Sequence, residues 1–572
     1  MDIEEIKRKQ REEREKYVED ILSSTAKKKI IVSGPGTGKT YTFGELLRKN
    51  HDGNNLAMTF IRKLVRDLDT KLSSYAEVKT FHAYCKKILH ERNGRVRIVP
   101  YLTKILKKDS LILEKEFNDF DAKLREINDK SPGFEFYLKR GDYYEVVGFD
   151  DSVYRVLKLS QKEPDILPCF DQIVIDEFQD FNTLEVSFIN ELEKKGKILI
   201  VGDDDQAVYD DRSSSFKYIR EKYSSGQYEK FLLPFCSRCT KVIVNAVNKI
   251  TSEAHRLGKL QGRIQKRYEC YLDEKEADSL KYPHIITAQF STAQVLAEYI
   301  CKEIINIPEE EIIRSNDKEN GYPTVIIAGP KQYLEKVYEV VSKKYKRTSF
   351  SPSENISYSS IDGYELLLED ENSNLGWRIL VEYFDLERLK NVVIESEKGI
   401  PILKLLKINF VSDHRRIIDS LKKIKDSRVI TAEELEHLQN LLKVNMTEIL
   451  EYFTPKERKT EDESLDIEPS IILTSYKGCK GLSASYVFIV GMNNGDLPRN
   501  KTNISDVEIC QFIVALTRTR KCCYLLSTKW LIAPRNKKGW IPYKEKSEFI
   551  SWIPGDLMKN MGYITTKDLA KL

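Results

Sequence analysis

The chain has 572 residues, 41% apolar and 32% charged, enough for three or four domains with buried cores. Lys and Arg number 93 against 89 Asp and Glu; a formal charge of +4 on this length excludes a uniformly basic nucleic-acid binder, though a groove can still be locally basic. The absence of any run of 18 apolar residues excludes a spanning helix, and the charged start MDIEEIKRKQREEREK argues against a secretory leader, so a cytoplasmic protein without membrane contact is expected.

Residues 3–20 read as a charged, ion-paired surface helix. Lys27–Lys29 and the apolar run Ile30–Val32 follow, broken at Gly34-Pro35-Gly36 before a helical pattern. This strand–loop–helix grammar recurs. Leu56–Met58 precede Thr59 and Phe60, Ile173–Ile175 precede Asp176, and Ile198–Val201 precede Gly202 and a run of acids. Short apolar runs that each end in polar residues before a helix predict a parallel sheet covered on both faces, with its chemistry at the carboxyl ends of the strands. Val325–Ile327, Ile471–Leu473, Val487–Val490 and Tyr524–Leu526 predict a second α/β core. The expected division is residues 1–90 and 166–250 for the first core, 91–165 for a helical insertion in it, 251–350 and 469–572 for the second core, and 351–468 for a second helical insertion. Ten cysteines are scattered; Cys236 and Cys239 form the only C-x-x-C, without a second pair at zinc spacing, and read as reduced thiols.

Ser33-Gly34-Pro35-Gly36-Thr37-Gly38-Lys39-Thr40 fits a P-loop, with Ser33 where the strict pattern has glycine. Glycines let the loop curl its N–H groups toward phosphate oxygens, and the following helix adds its positive end. Lys39 is expected on the β- and γ-phosphates of ATP and Thr40 on Mg²⁺. The strand Phe170–Ile175 delivers Asp176 and Glu177 to a sheet edge; Asp176 suits the Mg²⁺ ion, and Glu177 suits orienting or deprotonating an attacking water.

The form Asp176-Glu177-Phe178-Gln179-Asp180, followed by Gly202-Asp203-Asp204-Asp205-Gln206-Ala207-Val208-Tyr209, resembles the second and third motifs of the UvrD, PcrA and Rep group of superfamily 1 DNA helicases. Thr59 and Phe60, then Thr80-Phe81-His82-Ala83, resemble its DNA-contact motifs. Arg238 resembles the arginine of its fourth motif, with Cys236-Ser237 in place of the usual Asn-Tyr. Lys480-Gly481-Leu482 resembles its fifth, and Val514-Ala515-Leu516-Thr517-Arg518 its sixth. The resemblance implies two RecA-like α/β cores, each with a mainly helical insertion, and an ATP-driven translocase or helicase running 3′ to 5′ on single-stranded or tailed duplex DNA. It implies Gln206, Arg238 and Arg518 around the γ-phosphate, Gln10 reading adenine, and Thr59, Phe60, Thr80, Phe81, His82, Tyr209, Lys477 and Lys480 toward DNA. A structural histidine is the competing reading of His82.

Three departures qualify it. Ser483 stands where the group has a ribose-binding Glu, which loosens sugar discrimination. Lys477 replaces a histidine and either strengthens a phosphate contact or is plain surface. Asp211 replaces a large aromatic that stacks on bases, an interaction worth roughly 1–3 kcal/mol per base, so modest processivity is expected. The short stretch after Arg518 is expected to hold no nuclease domain. The alternative is an ATP- and DNA-sensing regulatory subunit working beside a separate nuclease, as in bacterial antiviral systems of the Gabija type.

Overall fold

A computed structural model describes residues 3–59, 72–94, 96–209, 216–317, 321–351, 356–426, 431, 436, 438–439, 468–532 and 543–571. After a charged helix α1 (Ile3–Ser23), the strands β1 (Lys28–Val32), β2 (Asn55–Thr59), β3 (Glu77–Thr80), β4 (Phe170–Ile175), β5 (Gly196–Gly202) and β6 (Glu229–Phe231) build a sheet of order β3-β2-β4-β5-β1-β6. The strands β7 (Ile285–Phe290), β8 (Val325–Ala328), β9 (Thr348–Ser351), β10 (Ile471–Thr474), β11 (Ala484–Val490), β12 (Thr519–Thr528) and β13 (Met558–Ile564) build a second sheet of order β9-β10-β8-β11-β12-β7-β13. Every pairing in both sheets is parallel.

The central strands are apolar runs because helices cover both faces. In β8, Val325 and Ile327 join one buried cluster and Ile326 and Ala328 another, as the two-residue side-chain period requires. In the first sheet Ile31, Ala57, Val174, Leu199 and Val201 pack with Phe43, Leu46 and Leu47 of the helix α2 (Lys39–Lys49). The two expected parallel-sheet cores are thus present. Strands β3, β6, β7, β9 and β13 were not anticipated. Glu-Val-Lys-Thr in β3 and Met-Lys-Asn-Met-Gly-Tyr-Ile in β13 are polar runs at sheet edges, where one side needs no apolar cover.

The chain forms two compact units. One gathers Met1–Phe81, Leu167–Glu354 and Asp462–Leu572 and holds both sheets; the other gathers His82–Ile166 and Asn355–Glu461. The second unit is helical among its described residues, apart from a two-residue pairing of Arg97–Ile98 with Val146–Val147. Its interior holds a buried polar knot. The Asp109 carboxylate accepts from Arg140 Nη2 at 2.7 Å, Tyr144 Oη at 2.5 Å, and Arg378 Nε and Nη2 at 3.0 and 2.8 Å. Arg378 also pairs with Glu382, so two buried guanidinium groups lie close to carboxylates.

In the first unit, register decides which loops meet. β5 lies between β4 and β1, with Ile175 beside Ile200 and Val32 beside Gly202. The loops leaving β1, β4 and β5 therefore leave side by side at one sheet edge, and Ser33 N donates to Gly202 O at 3.2 Å.

Candidate nucleotide site

The loop after β1 takes a form that only its glycines allow. Gly36 and Gly38 have φ of +72° and +88°, in the left-handed region, and a Cβ on Gly36 would lie 2.5 Å from Arg238 Cβ. Ser33 has a local use: its hydroxyl accepts from Leu233 N at 2.6 Å, tying the loop to the segment that follows β6. Thr37 Oγ1 donates to Gly34 O at 2.9 Å. Lys39 opens α2, and its amine donates to Ser33 O and Gly34 O at 2.7 and 2.8 Å. Burial holds that amine below the ordinary lysine range, while Asp203, Glu177 and Asp176 push it back up.

Asp176 leaves β4, and its carboxylate accepts from Glu177 N at 2.9 Å. Burial, reinforced by neighbouring Glu177, raises it to about 7. Burial also works against the charge of Glu177, but Lys480 and Lys39 overcome it and hold Glu177 below its ordinary value. Glu177 sits at φ 55°, a left-handed turn that starts the short helix Phe178–Asp180. Gln179 bridges the neighbouring strand ends. Its Nε2 donates to Glu177 Oε2 at 2.5 Å, and its Oε1 accepts from Asp203 N at 2.9 Å. A capping box of Asn182 and Glu185 starts the next helix and fixes the exit of this loop.

Two cations arrive from the second sheet. Lys480, between β10 and β11, lies 2.5 Å from Asp180 Oδ2 and 3.6 Å from Glu177 Oε2, and donates to Gln206 O at 2.6 Å. Arg518, just before β12, donates through Nη2 to Gln206 Oε1 at 3.0 Å, and also to Val514 O, Leu482 O and Thr517 Oγ1. No carboxylate pairs with the Arg518 guanidinium among the described residues. Burial, with Arg238 nearby, pulls it down to about 10, so it stays cationic at neutral pH. Arg520 donates to Ser483 Oγ at 3.0 Å and lies over the Tyr322 ring at 4.0 Å; burial and Arg238 lower it too. Lys39, Arg238 and Arg518 thus concentrate positive charge beside the phosphate-type loop, a setting that favours an anion.

The three acids after β5 look like a solvated turn in sequence, yet all are buried. The Lys266 amine lies 2.6 Å from carboxylate oxygens of Asp203 and Asp204 and 2.9 Å from Asp205. Arg263 forks onto Asp205 at 2.7 Å and Arg220 binds Asp204 at 2.9 Å. Tyr268 lies against the phosphate-type loop: its hydroxyl donates to Pro35 O at 3.0 Å, and a Cβ on Gly34 would meet its ring at 2.5 Å. None of Lys266, Arg263, Arg220, Tyr268, Gln179 or Arg520 was anticipated. One signal was available: three adjacent acids at a buried strand end require cations somewhere.

The structure brings Lys39, Asp176, Glu177, Gln206, Arg238 and Arg518 to one edge, with Ser33, Gly34, Pro35, Gly36, Thr37 and Gly38 in the loop and Thr40 exposed on α2. Elsewhere it differs from expectation. The Gln10 amide, assigned to adenine, is spent on main chain: Nε2 donates to Cys270 O at 3.1 Å and Oε1 accepts from Leu272 N at 3.0 Å. Lys480, assigned to DNA, is buried among the carboxylates. Thr59 is fully buried at the end of β2. Phe81 is core, its ring centroid 4.6 Å from Phe181 and 6.1 Å from Phe188. Thr80, Lys477 and Tyr209 are half-buried, with the Lys480 amine 5.7 Å over the Tyr209 ring. The His82 ring lies 4.8 Å from Phe149 inside the helical unit. Phe60 and Asp211 lie outside the described residues. All ten cysteines are free, and only Cys169 is exposed.

Comparison with known proteins finds similarity along most of the chain. An AAA domain family profile matches residues 18–212. The ATP-dependent DNA helicase PcrA of Bacillus subtilis is 23% identical over 93% of this chain and 84% of its own length. PcrA of Staphylococcus epidermidis is 21% identical over 92% of this chain and 84% of its own length, and PcrA of Staphylococcus aureus 21% over 93% and 85%. Over most of its length, and with its two parallel-sheet cores, the chain is similar to the UvrD/PcrA-like group of superfamily 1 helicases.

Proposed function

We propose that the protein is a DNA-dependent ATPase that moves along single-stranded DNA in the 3′ to 5′ direction and separates tailed duplexes. The observation that carries this reading is the reach of Arg518 and Lys480, from the second sheet, to Gln206, Glu177 and Asp180 of the first. An ATP γ-phosphate beside Lys39 would draw Arg518 and Arg238 onto its oxygens, where charge builds during phosphoryl transfer. Hydrolysis would release them, and the two cores would open and close once per ATP. Asp176 suits a divalent ion: it is a buried carboxylate, raised toward neutrality, with no cation paired to it among the described residues. Asp176 and Thr40 would hold Mg²⁺, whose charge neutralises the phosphates, and Glu177 would take the proton of the attacking water. DNA contact would fall to Thr80, His82, Tyr209 and Lys477. The division into two cores, each with its own insertion, and a cytoplasmic location belong to the same reading. It is supported by the PcrA relatives, described as ATP-dependent DNA helicases.

The test is ATP hydrolysis with and without single-stranded DNA, run beside strand displacement on 3′- and 5′-tailed duplexes. Stimulation by DNA with unwinding of the 3′-tailed substrate is expected. Stimulation without unwinding would replace the motor with the DNA-sensing subunit. No response to DNA would refute both.

A further inference from the structure

The segment between the helix Lys241–Arg256 and residue 270 carries no helicase motif, yet it touches both sides of the nucleotide pocket. Ile264 N donates to Asp204 Oδ2 at 2.9 Å, Arg263 grips Asp205, and Tyr268 leans on Pro35 and Gly34. At its centre the Lys266 side chain is 2% exposed and meets three carboxylates. The two oxygens of Asp203 are divided: Oδ1 takes Lys266, and Oδ2 accepts from Gln206 Nε2 at 2.7 Å. Gln206 is thereby held with its Oε1 toward Arg518 Nη2. The main chain of Asp203 leads the other way, through Gln179 to Glu177.

We propose that Lys266 is a positioning residue for ATP hydrolysis, fixing Asp203 so that Gln206 presents its amide to Arg518 and the γ-phosphate. This rests on the ATPase reading of the site. An amide side chain has two faces that differ only in donor and acceptor. Asp203, held ionised, accepts only, so it selects the Nε2 face and leaves Oε1 for the guanidinium. Burial opposes the Asp203 charge, but Lys266 and Lys39 pull that carboxyl down to about 2. Without Lys266, three buried acids would share Arg263 and Arg220, repulsion among them would shift Asp203, and Gln206 would lose its fixed orientation.

The test uses the full chain with saturating DNA. Lys266→Met is expected to lower kcat roughly 10–100-fold, the range for residues that orient a functional group from behind, with affinity for a fluorescent ATP analogue unchanged. Lys266→Arg is expected to recover most of the rate. In a Gln206→Ala background, Lys266→Met should cost nothing further, because its route is already cut; a merely structural lysine would lower the rate equally in both backgrounds. Should Lys266→Met fail to fold, Asp203→Asn is compared in the same two backgrounds with the same expectation. An unchanged kcat, or equal losses with and without Gln206, overturns the proposal. A parent protein that hydrolyses no ATP refutes the ATPase reading, and the role of Lys266 falls with it.

Discussion

Removing the Arg518 guanidinium should sharply slow ATP hydrolysis. Its donors face four neutral acceptors, Val514 O, Leu482 O, Gln206 Oε1 and Thr517 Oγ1, at 2.8 to 3.2 Å. Neutral acceptors orient a guanidinium without cancelling its charge. Burial, with Arg238 nearby, pulls it well below the ordinary arginine value to about 10, which corresponds to roughly 3 kcal/mol of unfavourable charge. An arriving phosphoryl anion recovers that, and it recovers more as charge grows in the transition state. Arg518→Ala should therefore cut kcat/KM by about 10³-fold, the low end of the range for an arginine that stabilises a phosphoryl transition state. Arg518→Lys should recover about tenfold or less, because an ammonium cannot reach Val514, Leu482 and Gln206 at once. Phosphate release at saturating DNA gives the rates, and a fluorescent ATP analogue gives binding separately. An alanine variant within tenfold of the parent would refute the reasoning.

Gly36→Ala should weaken ATP-analogue binding at least about tenfold (~1.4 kcal/mol), since φ is +72° and the new Cβ would strike Arg238; unchanged affinity would count against this loop as the phosphate cradle. Asp109→Ala should destabilise the helical unit by about 3 kcal/mol, the low end for breaking a buried ion pair, because Arg140 keeps Ser396 and Arg378 keeps Glu382. Urea unfolding measures it, and a loss under about 1 kcal/mol, the scale of an exposed pair, would contradict it. Asp151 is buried, and burial, only partly offset by Arg155, raises it to about 6 from 3.8. Its protonated form favours the fold, so its contribution is full below pH 3.8 and is lost as pH rises through about 6. Asp151→Asn should thus melt higher than the parent at pH 7.5 and alike at pH 4; a lower melting temperature at pH 7.5 would reverse the sign.

The strands that carry chemistry were legible because their signals are local. Ile173–Ile175 before Asp176, and Ile198–Val201 before Gly202, announce buried strands with polar ends. Parallel pairing and adjacent order then place those ends together, so the P-loop, Asp176 and Gln206 could be read in advance as one site. Residues whose role depends on what packs over them were not legible. Lys480 and Phe81 sit in motif positions, but their burial is decided by Asp180 in one case and Phe181 in the other. Gln10 lies on a charged helix, and only the fold shows that Cys270 and Leu272 take its amide. Lys266 has no sequence pattern at all; its three acidic partners lie some sixty residues earlier and mark the need for a cation without naming it.

The helical unit is assembled from two stretches of chain that the second half of the first sheet and the first three strands of the second sheet separate. During synthesis, residues 82–166 leave the ribosome nearly two hundred residues before the stretch that begins at 355. Asp109 and Arg140 can meet early, but Arg378, 269 positions after Asp109, arrives late. Nascent chains halted before residue 355 should therefore carry a first half open to protease attack, with Asp109 short of a cation, and protection should appear only once the helix Asn374–Phe384 has emerged.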